Sequence, residues 1–214
     1  MSERLDLIKS LIVPAKVIAD VGCDHGLIAE YCASSGTADI VIASDISEKC
    51  LQKAKARLGD KANVRFVCCD GLGYKCDEAV ISGMGGILIC QILRNAEKLP
   101  KTLIVSPHRD GALVRATLLE LGYGIGRDIP IFDRGKFYSI IRADKDCKAS
   151  DLSDLQLKFG VDCEMPSQAL KTRLEQLYNI YSVAPDKNRQ ILSDITAVMR
   201  LQGIEPQIKD DKTS

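Results

Sequence analysis

Residues 16–26, KVIADVGCDHG, pass from a β-branched apolar segment into a loop with two glycines. This pattern is typical of a strand that turns sharply into a helix, because glycines let the backbone approach a ligand and leave a helix N-terminus facing it. A dinucleotide-binding loop has glycine at the middle of this turn, whereas this chain has Asp24. A carboxylate there would repel the pyrophosphate of NAD but would tolerate a cationic ligand. The alternative is that Asp24 only caps the following helix.

The alternation of strands and helices continues through the first two thirds of the chain. Predicted strands span 16–21, 39–44, 63–68, 77–82 and 102–106, and predicted helices span 26–35, 47–58, 86–97 and 109–121. The strands are nearly continuous apolar runs, which indicates a parallel sheet covered on both faces.

The alternation of predicted strands and helices ends after Gly122. Segments 123–132 and 136–143 flank residues 133–135 (DRG) and predict a terminal hairpin. This ending is similar to that of class I methyltransferases, which have a Rossmann-like α/β fold and a seven-stranded sheet with an antiparallel last strand. An edge hairpin on any α/β sheet is the alternative.

The sequence predicts two domains, an α/β domain over residues 1–148 and a helical domain over 149–214. Residues 144–165 have the polar composition of a linker. Two apolar stripes of helical period, which start at Leu170 and Leu192, predict two antiparallel helices joined by a short loop.

Charge and cysteine content exclude several classes of protein. The 29 basic and 29 acidic residues leave a net charge of zero, so a polyanion must meet a local basic patch. Candidates, each also explained as ordinary solvated charge, are Arg109, Arg115, Arg134, Lys136, Lys171 and Arg173. No apolar run approaches the roughly 18 residues that span a bilayer, so we expect a cytoplasmic protein without membrane contact. The nine cysteines form no C-x-x-C pair, so we expect reduced core residues and no metal site.

Acidic residues follow three successive predicted strands. Asp20 and Asp45 end the first and second strands, and Asp70-Gly71 follows the third. Since parallel strands present their carboxyl ends at one edge of the sheet, these carboxylates are expected to line a ligand site. Asp45, 19 residues after Gly26, is positioned to accept hydrogen bonds from ribose hydroxyls. Helix capping by Asp45 and a simple turn at Asp70 are the alternatives.

The loop after the fourth strand contains Gly83-Met84-Gly85-Gly86. It lies beside the predicted switch point of the sheet, and its glycines leave room for a flat ring. The Asp/Asn-Pro-Pro-aromatic motif of many amino-group methyltransferases is missing from this loop, so a ring nitrogen is the expected nucleophile. A tight turn without chemistry would explain the glycines as well. His108, after the fifth strand, is a candidate for substrate contact or for a structural role.

Together, the motifs resemble the bacterial tRNA (adenine-22, N1)-methyltransferase family, often called TrmK. The residues that carry the resemblance are Arg4-Leu5, Asp20 to Gly26, Ser44-Asp45, Asp70 to Leu72, Gly83 to Gly86, Ser106 to His108 and Gly135 to Tyr138. The resemblance implies a class I enzyme that binds S-adenosyl-L-methionine and tRNA, with a C-terminal helical hairpin of the coiled-coil type assisting tRNA binding. The family usually has Gln-Pro-Asn where this chain has Ser106 to His108, and Ala where it has Ser82.

The resemblance also implies roles for individual residues. Asp24, Met84 and Gly85 are expected at the catalytic centre, and Asp24 matches the family's catalytic carboxylate. Cofactor-binding residues are expected to be Asp20, Gly22, Cys23, Asp24, His25, Gly26, Asp45, Ile46, Asp70, Gly71, Gly83 and Met84. Expected substrate contacts are Arg4, Pro107, His108, Lys136 and Tyr138.

Other functions remain open at this point. A class I methyltransferase acting on another RNA, a protein or a small molecule would have the same cofactor site. A non-catalytic binding module on this fold is a second alternative, which the intact acids of the first three loops argue against. An NAD-linked oxidoreductase is disfavoured by Asp24. We expect a monomer.

Overall fold

The computed structural model describes residues 2–148 and 151–206. The strands are β1 (Ala15–Val21), β2 (Ala38–Asp45), β3 (Val64–Cys68), β4 (Glu78–Met84), β5 (Thr102–Pro107), β6 (Gly124–Asp133) and β7 (Lys136–Asp144). The helices are α1 (Glu3–Leu11), α2 (Leu27–Ser35), α3 (Glu48–Leu58), α4 (Gly86–Asn95), α5 (Gly111–Glu120), α6 (Asp154–Phe159), α7 (Gln168–Tyr181) and α8 (Arg189–Leu201).

The strands form one seven-stranded sheet in the order β3-β2-β1-β4-β5-β7-β6. β1 to β5 pair in parallel, and β7 lies antiparallel between β5 and β6. This confirms the predicted α/β class and the terminal hairpin. The strand order reverses between β1 and β4, which leaves a crevice at their carboxyl ends where open α/β sheets bind ligands.

The central strands are buried on both faces, as their apolar sequences predict. Ile18 and Val80 pack on one face of the sheet, with α1, α2 and α3. The next residues along the chain, Ala19 and Ile81, pack on the other face, with α4 and α5. The rigid sheet between these two cores fixes the positions of the loops at its carboxyl edge.

The C-terminal helices have an apolar core of their own. Leu170 and Leu174 of α7 pack against Ile195 and Val198 of α8, which confirms the predicted helical hairpin. Helix α6 lies inside the segment that was predicted to be a linker, and this prediction was wrong. The Ser153 side chain and Gln156 form a reciprocal capping box at its start, which stabilises a helix in a polar sequence.

Arg115 is not an RNA contact, contrary to the sequence prediction. Its side chain is 2 % exposed and its Nε donates to Asp128 at 2.6 Å. Arg115 also donates to the Leu157 carbonyl of α6, and Val161 N donates to Asp128. The buried pair therefore connects the sheet to the C-terminal helices. The predicted boundary at 148/149 adjoins residues 149–150, which lie outside the described part, and it stays a prediction.

The nine cysteines are free, but they are not all core residues as expected. Four are buried, whereas Cys68 and Cys147 are exposed. Cys68 ends β3, which lies at the edge of the sheet. Among the described residues, no helix has the length and apolarity needed to cross a membrane.

Candidate active site

A cavity of about 440 Å³ opens at the carboxyl ends of β1, β2 and β4. Four carboxylates line it: Asp20, Asp24, Asp45 and Asp70. Of the described residues that line it, Arg4 is the one lysine or arginine. The structure thus brings together the acids that the sequence placed after three successive strands. Their negative potential favours a cationic ligand over a phosphate-bearing one.

The loop after β1 is anchored to β2 and fits closely against β4. The amides of Gly22 and Cys23 donate to the Ser44 carbonyl at 2.8 and 2.9 Å. Gly22 has a φ of +69°, and a Cβ there would lie 2.0 Å from Cε of Met84. Only glycine combines this backbone conformation with this approach, so the turn and the Met84 side chain together shape the cavity floor.

Gly26 has a structural role rather than a place in the cavity wall. It is the N-cap of α2 with a φ of +68°, and a Cβ there would lie 2.8 Å from Cδ1 of Leu58. Gly26 does not line the cavity. Since Gly26 occupies the cap position and α2 has no side-chain cap, Asp24 is not the helix cap either.

Asp20 is buried at the back of the cavity. Its side-chain oxygen accepts a hydrogen bond from Ala29 N at 3.0 Å, which joins β1 to α2. Burial raises the pKa of this carboxyl from 3.8 to about 7. Asp20 therefore holds the loop and also supplies a polar group to a largely dry part of the site.

Asp24 has a side chain that is 55 % exposed at the cavity mouth, with a backbone φ of +41°. Its Oδ1 lies 3.2 Å from Nζ of Lys53, on α3, and its Oδ2 lies 3.5 Å from Nε2 of His25. Slight burial acts to raise its pKa, but the hydrogen bond from Lys53 and the charge of His25 outweigh burial and lower the pKa. Asp24 is thus an ionised acceptor facing the site.

Asp45 is held by two backbone amides. Its Oδ1 accepts from Ser47 N at 2.8 Å and its Oδ2 from Asp24 N at 3.3 Å. The cap of α3 is Ser47, so the capping alternative for Asp45 does not apply. The carboxylate is oriented towards the cavity and keeps free lone pairs for a ligand.

The far end of the cavity is suited to a flat apolar group. Ile46, 70 % exposed, and Asp70 both line it. Gly71 has a φ of +76°, and a Cβ there would lie 3.2 Å from Cγ2 of Ile92, which lines the cavity from α4. The close approach of Gly71 to α4 closes this end of the cavity.

The residues of the glycine run, at the end of β4 and the start of α4, have two different locations. Gly83 and Met84 line the cavity, next to a bulge in the pairing with β5. Gly85 does not line the cavity and is the N-cap of α4, and its predicted catalytic role stays a prediction. A Cβ on Gly86 would lie 2.7 Å from the Arg109 carbonyl. Glycine at this position therefore lets the start of α4 pack closely against the loop after β5.

The predicted substrate contacts separate the first cavity from a second one. The Arg4 guanidinium lies 4.7 Å from the centre of the Tyr138 ring, and the His108 and Tyr138 rings meet edge to face at 5.5 Å. Arg4 lines the acid-lined cavity, whereas Pro107, His108, Lys136 and Tyr138 line a neighbouring cavity. Burial, with the charges of Arg4 and Lys136, lowers the pKa of His108.

Several contacts of the site have no signal in the sequence pattern. Lys53, which pairs with Asp24, lies on an ordinary charged helix. Ser44 at the end of β2 hydrogen-bonds the Tyr74 hydroxyl, and burial raises the pKa of that hydroxyl. Leu88 supplies an apolar wall from α4. These residues lie far apart in the chain, so only the fold brings them to the site.

Comparisons with known proteins agree with this geometry. A family described as "Methyltransferase domain" matches residues 1–141. A provisionally named tRNA methyltransferase of Mycoplasma pneumoniae is 31 % identical over 153 residues, which cover 68 % of this chain and 72 % of that one. The tRNA (adenine(22)-N(1))-methyltransferase of Bacillus subtilis is 26 % identical over 171 residues, covering 75 % and 72 % of the two chains.

Solved structures show the same fold. TrmK of M. capricolum, in complex with S-adenosyl-homocysteine, superposes with a TM-score of 0.80 at 21 % identity, covering 95 % of this chain and 96 % of that one. The m1A22 tRNA methyltransferase TrmK of B. subtilis superposes with a TM-score of 0.73 at 23 % identity, covering 95 % and 97 %. The chain therefore belongs to the methyltransferase-domain family, and its relative of 31 % identity is named a tRNA methyltransferase.

Proposed function

We propose that this protein transfers a methyl group from S-adenosyl-L-methionine to N1 of adenine 22 in tRNA. The observation that carries the proposal is the acid-lined cavity at the switch point of a class I methyltransferase sheet. The B. subtilis relative has this activity in its name. With tRNA as its substrate, we infer that the enzyme works in the cytoplasm; that it acts as a monomer stays a prediction.

The residues of the cavity fit the cofactor. Asp45 would accept hydrogen bonds from the ribose hydroxyls, with Ile46 and Asp70 on either side of the adenine. Asp20 and Gly22 would hold the methionine portion near the end of β1, and Gly83 and Met84 would face the methyl group. When bound, the cofactor supplies a methyl group on a sulfonium cation, a charge that the negative potential of the acid-lined cavity stabilises.

Asp24 is the residue that we assign to catalysis. Adenine N1 is a neutral nucleophile with a free lone pair, so the site needs no general base to activate it. Asp24 instead accepts a hydrogen bond from the adenine amino group and stabilises the positive charge that develops on the ring. Its depressed pKa keeps it ionised for this role. Lys53 and His25 hold the carboxylate at the cavity mouth.

The stack of Arg4, His108 and Tyr138 forms the substrate side of the centre. Arg4 covers the Tyr138 ring, and His108 meets its edge, so the three side chains form one rigid wall. The target adenine leaves its RNA stack and binds against this wall at a cost of a few kcal/mol. Helix α1 carries Arg4 and is fixed by Asp133, which accepts from Ser2 Oγ at 2.8 Å.

The two parts of the chain have different proposed functions. We assign catalysis and cofactor binding to residues 1–148 and assistance in tRNA binding to residues 149–214. Incubation of total tRNA with the protein and S-adenosyl-L-methionine, followed by mass spectrometry of the nucleosides and of nuclease-generated oligonucleotides, tests the proposal. We expect 1-methyladenosine at position 22, abolished by Asp24→Ala. Methylation at another atom, or of a protein or small molecule only, would refute the substrate assignment.

A further inference from the structure

A second, larger cavity of about 860 Å³ lies between the methyltransferase sheet and the C-terminal helices. Loops after β5 and the turn between β6 and β7 form one side, and α7 forms the other, with contributions from α6 and α8. We call this cavity the interdomain cleft. It adjoins the acid-lined cavity at Arg4, Tyr138 and His108, because Arg4 lines the first cavity and the other two line the cleft.

The charge of the interdomain cleft is opposite to that of the cofactor cavity. Among the described residues that line it, five are lysine or arginine and the one acid is Asp110. Arg115 is neutralised by Asp128 and Lys158 by Asp194. Lys136 and Arg173 have no salt-bridge partner in the described part of the chain, so the cleft keeps an excess of positive charge.

Aromatic rings alternate with these cations. The Arg173 guanidinium lies 5.6 Å from the centre of the Phe137 ring, and Phe137 packs edge to face on Phe132. This cation–π contact holds Arg173 with its planar group in the cleft. Tyr138 and Tyr181 add further ring surface. Cations that bind phosphates, placed beside planar groups on which bases stack, are the features of a site for unpaired nucleic acid.

We propose that the interdomain cleft binds the unpaired RNA strand next to the target adenine, with phosphates on Arg173 and Lys136. This inference rests on the proposed function. When an adenine leaves its stack and enters the catalytic centre, its neighbours in the strand must lie close by. Tyr138 and His108 line the cleft on the side of the catalytic centre, so a strand in the cleft lies next to the base that enters the centre. The acidic cavity repels phosphates, so the strand passes on the basic side.

Arg173 and Lys171 provide a matched pair for the test. Both lie on α7 and both are candidates for the basic patch in the sequence, but Arg173 lines the cleft and Lys171 does not, so the proposal assigns phosphate binding only to Arg173 of this pair. Arg173→Glu and Lys171→Glu change the net charge equally, so a difference between them reports on position rather than on total charge. Binding of an unmodified tRNA transcript with adenine at position 22 is measured by fluorescence anisotropy over a range of salt concentrations, and S-adenosyl-homocysteine binding by calorimetry.

We expect Arg173→Glu to weaken tRNA binding at least about tenfold and to lower the salt slope by about one. Lys171→Glu should stay within about twofold of the wild type. Neither change should alter S-adenosyl-homocysteine affinity, and kcat at saturating tRNA should persist in Arg173→Glu while KM rises. Arg173→Gln, which removes the charge without reversing it, should give a smaller loss of the same kind and serves if Arg173→Glu does not fold.

Equal tRNA affinities for Arg173→Glu and Lys171→Glu would overturn the assignment of the cleft. That failure is distinct from failure of the proposed function, because the wild-type protein would still methylate adenine 22. If the wild-type protein did not methylate adenine 22, the binding comparison would still decide whether the cleft holds RNA.

Discussion

Replacement of Asp45 by alanine tests how the site recognises its cofactor. Of about four lone-pair positions on a carboxylate, the amides of Ser47 and Asp24 use two, at 2.8 and 3.3 Å. Two remain, one for each ribose hydroxyl. A hydrogen bond to a charged acceptor contributes about 1.5–3 kcal/mol. The two bonds will not add fully, because Asp45 is half-buried and water can replace part of what is lost.

We therefore expect Asp45→Ala to weaken cofactor binding by about 1.5–3 kcal/mol in total, which is roughly 10- to 150-fold. Titration calorimetry with S-adenosyl-homocysteine measures the change directly. Asp39→Ala is the matched control, since Asp39 lies near the opposite end of β2 and is exposed. Its affinity should equal that of the wild type.

An unchanged affinity in a folded Asp45→Ala protein would refute the ribose assignment. The carboxylate would then serve only to bind the two loop amides. A loss of affinity equal in the Asp39 control would show instead that the negative charge of β2, and not a hydrogen bond at the site, attracts the ligand.

Three further changes address catalysis, stability and pH. Asp24→Ala should reduce turnover by far more than it lowers the midpoint of urea unfolding, because the side chain is half-exposed in a loop; an unfolded variant would show a structural role. Arg115→Ala should lower the free energy of unfolding in urea by about 3–5 kcal/mol, because it leaves the Asp128 carboxylate buried without its partner; a loss under 1 kcal/mol would contradict this. Folding raises the pKa of Asp20 to about 7, so the stability that this group contributes is fully present below about pH 4 and is lost as the pH rises through about 7. Asp20→Asn should flatten that part of the profile of thermal stability against pH, and an identical slope in the variant would exclude Asp20 as its source.

The sequence was sufficient to predict that the acids gather at one edge of the sheet, because each acid belongs to a local strand-to-loop motif. Asp20, Asp45 and Asp70 each end or follow a strand, and parallel strands place their carboxyl ends at one edge of the sheet. Once the strands are recognised, the grouping of the acids follows without any knowledge of side-chain packing. The same reasoning predicted the terminal hairpin from residues 133–135.

The substrate side could not be predicted in the same way, because it depends on contacts between distant parts of the chain. Arg4 meets Tyr138 because Asp133, the last residue of β6, accepts hydrogen bonds from Ser2 and Glu3 at the start of α1. In the sequence, Arg115 cannot be told from an ordinary solvent-exposed arginine on a helix. It is buried because β6 places Asp128 next to it in the folded chain. Neither pairing has a spacing or period that a single sequence reveals.

The zero net charge of the chain conceals a separation of charge that the reaction requires. Methyl transfer from a sulfonium to a neutral ring leaves the positive charge on the base, so negative groups such as Asp24 must surround the reacting atoms. Those same groups repel the phosphates of the substrate. An enzyme of this kind must therefore bind the RNA backbone outside the acidic cavity. Only the target base enters the cavity, and a wall of side chains separates the two. The stack of Arg4, Tyr138 and His108 lies between the acidic cavity and the basic cleft, where such a wall is needed.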